Sequence, residues 1–353
     1  MPLTTAHLVG SVNLPDAETT FRVVSEHLGD HLVRLPDGEV GERFYWIQFQ
    51  RARFDATPGL SRVGDTAVYL RDQFDGRPFR IDEGVDAASL TLPSLGYADA
   101  ALESYATFAA LKDEGVIPKQ VRFQVSLPTP AGVVGSFVIA ADQVAFEPVY
   151  ERALFGELDR IVAGIPHDQL AIQWDTALEF GFLEGAEIRG TRLLPWFGEE
   201  HADILAGIIA RAVRQAAAVP ADVEVGYHLC YGDVEEHHFV EPTDATMLAE
   251  VLADLFAGAS RTIDWVHLPV PIDRDDDAYF APLAGVAWPT ETSVYLGLLH
   301  HEDGVEGAQR RAATASRVIP VFGVATECGF GRGPSERTAS LLELHCEAAA
   351  ALR

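Results

Sequence analysis

Three side chains in two distant segments of the chain could bind one metal ion. His228 and Cys230 are separated by one residue, and Cys328 follows about a hundred residues later. Each segment follows an apolar, strand-like run, and strand residues two positions apart point to the same face. An imidazole and two thiolates form a ligand set that suits zinc. The spacing therefore predicts a zinc site, and the alternative is a core histidine with two buried thiols.

The chain contains eight apolar runs rich in β-branched residues, each with a length typical of a buried strand. The runs are residues 6–12, 31–35, 120–127, 169–174, 223–230, 263–268, 293–299 and 318–325. Amphipathic segments separate most of them, and the clearest predicted helices are residues 203–219, 246–257, 307–317 and 337–352. Eight alternating strands and helices predict one (β/α)8 TIM barrel domain over residues 1–353.

The spacing of the runs is uneven. Residues 36–119 separate the second run from the third, and they predict a long insertion between strands 2 and 3 that partly covers the barrel mouth. Within this segment, residues 99–112 are predicted to form a helix with Asp99 as its N-cap.

Polar side chains lie at the ends of many of the runs. In a parallel barrel the C-terminal ends of the strands meet at one face, so we expect these side chains to surround one site. Besides the three metal-binding candidates, the polar residues at these ends include Ser11, Glu39, Asp175, His267, His300 and His301. His300 and His301 are candidates for an acid or base, because histidine titrates close to neutral pH.

Composition excludes several classes of protein. The chain has 353 residues, of which 48% are hydrophobic and 22% charged, so it can bury a large core. A net charge of −27 disfavours nucleic acid and anionic membrane surfaces as partners. No apolar run approaches the roughly 20 residues of a membrane span. Three cysteines and no signal-peptide pattern favour the cytoplasm over a disulfide framework.

Five collinear segments carry a resemblance to a known family. They are Leu8-Val9-Gly10-Ser11, Asp37-Gly38-Glu39, Ile172-Gln173-Trp174-Asp175, His228-Leu229-Cys230-Tyr231 and Glu327-Cys328-Gly329. The chain resembles the C-terminal, catalytic barrel of cobalamin-independent methionine synthase. The wider superfamily includes uroporphyrinogen decarboxylase and the coenzyme M alkyltransferases.

The resemblance implies roles for single residues. His228, Cys230 and Cys328 correspond to zinc ligands, and His267 stands where the family has a glutamate ligand, which implies a His2Cys2 site. The residues that correspond to the family's substrate-binding groups are Ser11, Glu39 and Asp175. Two carboxylates beside the site favour a ligand with an ammonium group, as in an amino acid. Residues 128–132 replace the family's folate-binding segment.

The leading functional prediction is zinc-dependent methyl or alkyl transfer involving a thiol, with a zinc-bound thiolate as nucleophile. A free thiol is a modest nucleophile at neutral pH, and metal binding removes its proton. The expected partner is a small thiol or thioether, and the two carboxylates favour an amino-acid-like one. Two alternatives remain: a thioether lyase or demethylase on the same zinc barrel, and a non-catalytic ligand-binding barrel.

Overall fold

The computed structural model of the chain describes residues 5–67, 69–70, 73–188, 190–232 and 237–352. The α-helices in these ranges are Ala17–Leu28, Gln50–Asp55, Tyr97–Asp113, Pro130–Phe137, Ala140–Gly164, Leu178–Leu183, His201–Ala218, Thr246–Gly258, Asp277–Phe280, Gly304–Ala315 and Thr338–Ala351. The four clearest predicted helices are confirmed, with each end shifted by at most about three residues. Within the described ranges, no helix is both long and apolar enough to cross a membrane.

Seven strands form one parallel sheet in which every strand pairs with its neighbours along the chain. The strands are β1 (Arg34–Pro36), β2 (Arg122–Pro128), β3 (Leu170–Thr176), β4 (Glu224–Leu229), β5 (Trp265–Pro269), β6 (Ser293–Leu299) and β7 (Gly323–Thr326). Seven of the eight predicted strands are therefore confirmed. Because the strands are parallel and sequential, their C-terminal ends lie along one edge, where the predicted site residues are expected.

The first apolar run, residues 6–12, does not form a regular strand, which corrects the sequence prediction. Ala6 makes isolated parallel bridges to Leu32 on one side and to Val324 on the other. The backbone of this run therefore pairs with two neighbouring segments at a few isolated positions. These pairings are too few to form a continuous ladder of backbone hydrogen bonds. Since the run contacts β7 and the segment that leads into β1, the sheet is curled and the fold is TIM-barrel-like.

The segment between β1 and β2 contains two small antiparallel pairs of strands. Leu60–Arg62 pairs with Phe79–Ile81, and Tyr69–Leu70 pairs with Phe74–Asp75. The helix predicted within this segment is confirmed at Tyr97–Asp113.

The predicted cap of that helix is wrong. The helix is capped by Gly96, which adopts the left-handed conformation with φ of 93°, whereas Asp99 lies within the first turn. Asp99 forms an ion pair with Arg160 there. A carboxylate in the first turn still complements the helix dipole.

A tryptophan packs against a glycine inside the curled sheet. Gly226 of β4 lies beside Trp265 of β5, and Trp265 is completely buried. The Arg34 guanidinium stacks 3.9 Å above the indole ring. A methyl group at Gly226 would lie 2.1 Å from Cδ2 of Trp265, so the indole requires a residue without a side chain at this position.

We expect Gly226→Ala to lower the free energy of unfolding by about 1–3 kcal/mol, because the indole has no room to move. Urea denaturation measures the change. Gly156→Ala is the matched control: Gly156 lies exposed in the helix Ala140–Gly164, and its added methyl would meet nothing within 4 Å. That control should be neutral or stabilising by up to about 1 kcal/mol. Equal stability of Gly226→Ala and the parent protein would contradict the packing argument.

Candidate metal and substrate site

Three predicted ligands meet at the C-terminal edge of the sheet. The donor atoms of His228, Cys230 and Cys328 all lie within 4.8 Å of one another. Nε2 of His228 is 3.7 Å from Sγ of Cys328. A tetrahedral ion with bonds of about 2.1 and 2.3 Å holds such donors roughly 3.6 Å apart. The donor types and this separation therefore fit zinc.

His267 is adjacent to this group but has a different set of contacts. Its Nδ1 lies 2.7 Å from Nδ1 of His228, and its Nε2 lies 3.0 Å from the carbonyl oxygen of Thr326. The ring is completely buried. Burial lowers the pKa of His267 to about 3, and burial together with the neighbouring His267 holds the pKa of His228 well below its usual value. Both imidazoles are therefore neutral at physiological pH.

The turn that follows β7 brings Cys328 to the site by packing against Ser11. The Ser11 carbonyl accepts a hydrogen bond from the Phe330 N–H at 3.0 Å, and its hydroxyl accepts one from the Gly331 N–H at 3.2 Å. A methyl at Gly329 would lie 2.4 Å from the Ser11 hydroxyl oxygen, so this approach requires a glycine. Ser11 thus anchors the turn that carries Cys328, in addition to lining the cavity described below.

Glu39 is held beside the site in a strained backbone conformation. Its φ is 52°, in the left-handed region that residues with a side chain seldom adopt. Its N–H donates to the Asp37 carboxylate at 3.0 Å, and Asp37 is itself held by Arg43 through two hydrogen bonds of 2.6 and 3.1 Å. The carboxylate packs over Gly10, where a methyl would lie 2.6 Å from Glu39 Oε1.

The carboxylate of Asp175 is oriented by a chain of hydrogen bonds that leads into the interior of the sheet. Nε2 of Gln173 donates to Oδ1 of Asp175 at 2.9 Å and to the Val9 carbonyl at 2.5 Å. The Gln173 carbonyl oxygen lies 3.0 Å from Nε2 of His7, which donates the matching hydrogen bond. All of these groups are buried, so the position of the carboxylate is fixed by the interior of the sheet.

The two buried carboxyl groups titrate far above their usual range. Burial raises the pKa of Glu39 to about 7, although Arg43 and Arg332 favour its charged form. Burial raises the pKa of Asp175 well above its usual value, and the nearby Glu39 charge acts in the same direction. Perturbed carboxyl groups of this kind cluster at functional sites. A cation placed between them would favour the ionised form of both.

The site opens into a cavity of about 530 Å³. Its polar lining includes Ser11, Glu39, Asp175, His228, Cys230 and Cys328. The remaining lining is largely aromatic and aliphatic, and includes Tyr45, Trp46, Phe74, Phe137, Leu178 and Phe239. Such a cavity, with a few convergent polar groups on an apolar wall, is typical of a small-molecule site.

The structure does not place His300 or His301 in the cavity lining. His300 is half-buried and its Nε2 lies 2.8 Å from the carbonyl oxygen of Val270, while His301 is exposed. Burial lowers the pKa of His300. The sequence placed both residues just after a strand, but position along the chain does not determine the direction of a side chain.

Two residues that the sequence did not single out also line the cavity. Trp46 has φ of 52° and forms a hydrogen bond that stabilises the charged form of Asp175. Arg332 lies in the glycine-rich turn after Cys328 and lowers the pKa of Glu39. The sequence could have indicated Arg332 as a site residue, because it lies four positions after the predicted ligand Cys328. Nothing in the sequence pattern distinguishes Trp46.

Comparisons with known proteins define the class of fold. The structure is similar to a B12-independent methionine synthase from Shewanella sp. W3-18-1 in complex with selenomethionine, with 14% identity and a TM-score of 0.62. The match covers 99% of this chain and 98% of that one. No family model matches the sequence, and no curated protein matches it.

Two further neighbours belong to the same class. One is a putative vitamin-B12 independent methionine synthase from Listeria monocytogenes, with a TM-score of 0.54, covering 96% of this chain and 87% of that one. The other is a methyltransferase from Methanosarcina mazei, with a TM-score of 0.52, covering 98% and 94%. Both are 14% identical to this chain. The resemblance expected from the sequence motifs is therefore confirmed for the fold.

Proposed function

We propose that this protein is a zinc-dependent methyl- or alkyltransferase that acts on a small thiol. One observation carries the proposal: three side chains that could hold a metal ion and a pair of buried carboxyl groups line the same cavity. The three side chains are His228, Cys230 and Cys328, and the carboxyl groups are Glu39 and Asp175. A site that only stabilised the fold would not need a cavity or a second set of fixed polar groups.

The chain supplies the residues that such a reaction needs. A zinc ion held by His228, Cys230 and Cys328 would lower the pKa of a bound thiol and keep it as a thiolate at neutral pH. The backbone N–H of Cys230 donates to the Thr176 carbonyl at 3.0 Å, so this ligand is tied to the end of β3. The ligands are therefore positioned by the scaffold before any ion arrives.

We propose an amino-acid-like thiol as the substrate. Glu39 and Asp175 both favour a cation between them, and an α-ammonium group fits that requirement. The Shewanella methionine synthase, with which this chain shares its fold, was solved in complex with selenomethionine. A ligand of that kind carries an ammonium group at one end and a sulfur or selenium atom at the other, which matches the two polar features of the cavity.

The aromatic wall favours an apolar group on the second substrate. Tyr45, Trp46 and Phe74 come from the segment between β1 and β2, and we propose that this segment is an insertion that covers the barrel mouth. A cavity of about 530 Å³ also falls within the range of about 300–1,000 Å³ that accommodates drug-sized ligands. There is room for an alkyl donor beside an amino acid.

Product analysis tests the proposal. Zinc-loaded protein is incubated with L-homocysteine and one methyl donor at a time. The donors are methyltetrahydrofolate, methylcobalamin and S-methylmethionine, each labelled with ¹³C in the methyl group. We expect labelled methionine from at least one donor, and none from the Cys328→Ser variant. Breakdown of a thioether without any thiol acceptor would instead identify a lyase. Failure of every donor, together with an absence of bound zinc, would rule out the proposal.

A further inference from the structure

His267 occupies a position from which it can act on the metal site without binding the metal. It lies on β5 directly opposite His228 of β4 in the sheet register. Its ring centroid is 4.8 Å from that of His228. Its polar contacts are Nδ1 of His228 at 2.7 Å and the Thr326 carbonyl at 3.0 Å. Both ring nitrogens therefore already have partners within the protein.

These contacts determine where the protons lie. The Thr326 carbonyl oxygen can only accept, so Nε2 of His267 carries a proton and donates it. A second proton on His267 would create a cation in a completely buried ring with no carboxylate among its partners, which is costly. Nδ1 of His267 is therefore an acceptor, and the proton between the two rings belongs to Nδ1 of His228.

The consequence is a lone pair on the other nitrogen of His228. A neutral imidazole that carries its proton on Nδ1 has an unprotonated Nε2. That Nε2 atom is the one that lies 3.7 Å from Sγ of Cys328, within the group of three donors. The hydrogen bond from His267 thus leaves His228 in the tautomer that can bind a metal through Nε2.

We propose that His267 is a positioning residue that fixes the tautomer and orientation of His228 and does not bind the metal itself. The inference rests on the proposed function for the identity of the ion. The chain would then hold the ion through one nitrogen and two sulfurs, a three-ligand set of the kind that catalytic zinc sites use to leave room for a substrate. The His267 ring also links the two segments that carry the ligands. It contacts His228 on one side and the Thr326 carbonyl on the other, and the Thr326 hydroxyl donates to the Cys328 carbonyl at 2.8 Å.

Nuclear magnetic resonance of protein labelled with ¹⁵N only in histidine tests the tautomer. Long-range ¹H–¹⁵N spectra of the metal-free protein are expected to show His228 protonated at Nδ1 and His267 protonated at Nε2. The signals of His267 are assigned as those that are missing from the His267→Asn spectrum. After loading with ¹¹³Cd²⁺, a coupling is expected to Nε2 of His228 and to no nitrogen of His267. A cadmium coupling to His267, or a proton on Nε2 of His228 in the metal-free protein, would overturn the proposal.

Two variants separate positioning from mere packing. His267→Leu removes the acceptor and should weaken zinc binding by about 10–100-fold, measured by competition with a chelator, while one zinc still binds at saturation. His267→Asn keeps an oxygen that can accept from His228, so we expect it to recover most of that loss. Equal losses in both variants would contradict the role. If the parent protein binds no zinc, the proposed function fails, whereas the metal-free spectra still decide the role of His267.

Discussion

Cys328→Ser should reduce zinc affinity by a factor on the order of 1,000, and Cys230→Ser should do the same. Each change removes one of three protein donors and replaces a thiolate by a hydroxyl that zinc binds poorly. The parent protein is expected to bind one zinc ion per chain. Because the ion binds only the folded site, zinc should also raise the melting temperature of the parent protein and not of either variant.

Cys346→Ser is the matched control for this prediction. Cys346 lies half-buried in the helix Thr338–Ala351, outside the group of three donors, and undergoes the same sulfur-to-oxygen change. Zinc content after dialysis against a chelator, measured by mass spectrometry, should match the parent protein in this variant. A similar loss of zinc in Cys346→Ser, or full retention in Cys328→Ser, would show that the three donors do not form the metal site.

The sequence predicted the fold and the three donors for one physical reason. Continuous apolar runs indicate buried parallel strands, and parallel strands bring their C-terminal ends to one edge. His228 and Cys328 were therefore expected to meet although they lie far apart in the chain. The same reasoning wrongly predicted a strand at residues 6–12. This run has the apolar composition of a strand, but its backbone pairs with two neighbouring segments only at isolated positions.

The roles of individual side chains were harder to predict, because direction depends on tertiary contacts. His267 lies within β5 and His300 directly follows β6, yet one ring faces His228 and the other faces the Val270 carbonyl. Trp46 belongs to a segment with no periodic pattern, and its place in the cavity depends on an unusual backbone conformation. Strand pairing predicts where residues gather, and packing decides what they contact.

An ammonium-bearing ligand should release protons when it binds near neutral pH. In the free protein the pKa of Glu39 is about 7, so this carboxyl group is largely protonated at pH 6.5. The pKa of Asp175 is also raised. A cation beside the pair lowers both pKa values, so protons leave as the ligand arrives. The release should decline as pH rises well above 7, where Glu39 is already ionised in the free protein.

Calorimetry with L-methionine in buffers of different ionisation enthalpy measures this release. Glu39→Gln should reduce it at pH 6.5, because an amide cannot titrate. Asp175→Asn should weaken binding on the order of 100-fold, since it removes a buried charge that pairs with the ammonium group. Glu103→Gln, which changes an exposed carboxylate, should alter neither quantity. The deaminated analogue 4-(methylthio)butanoate should bind weakly and release no proton; if it binds as tightly as L-methionine, the two carboxyl groups do not recognise an ammonium group.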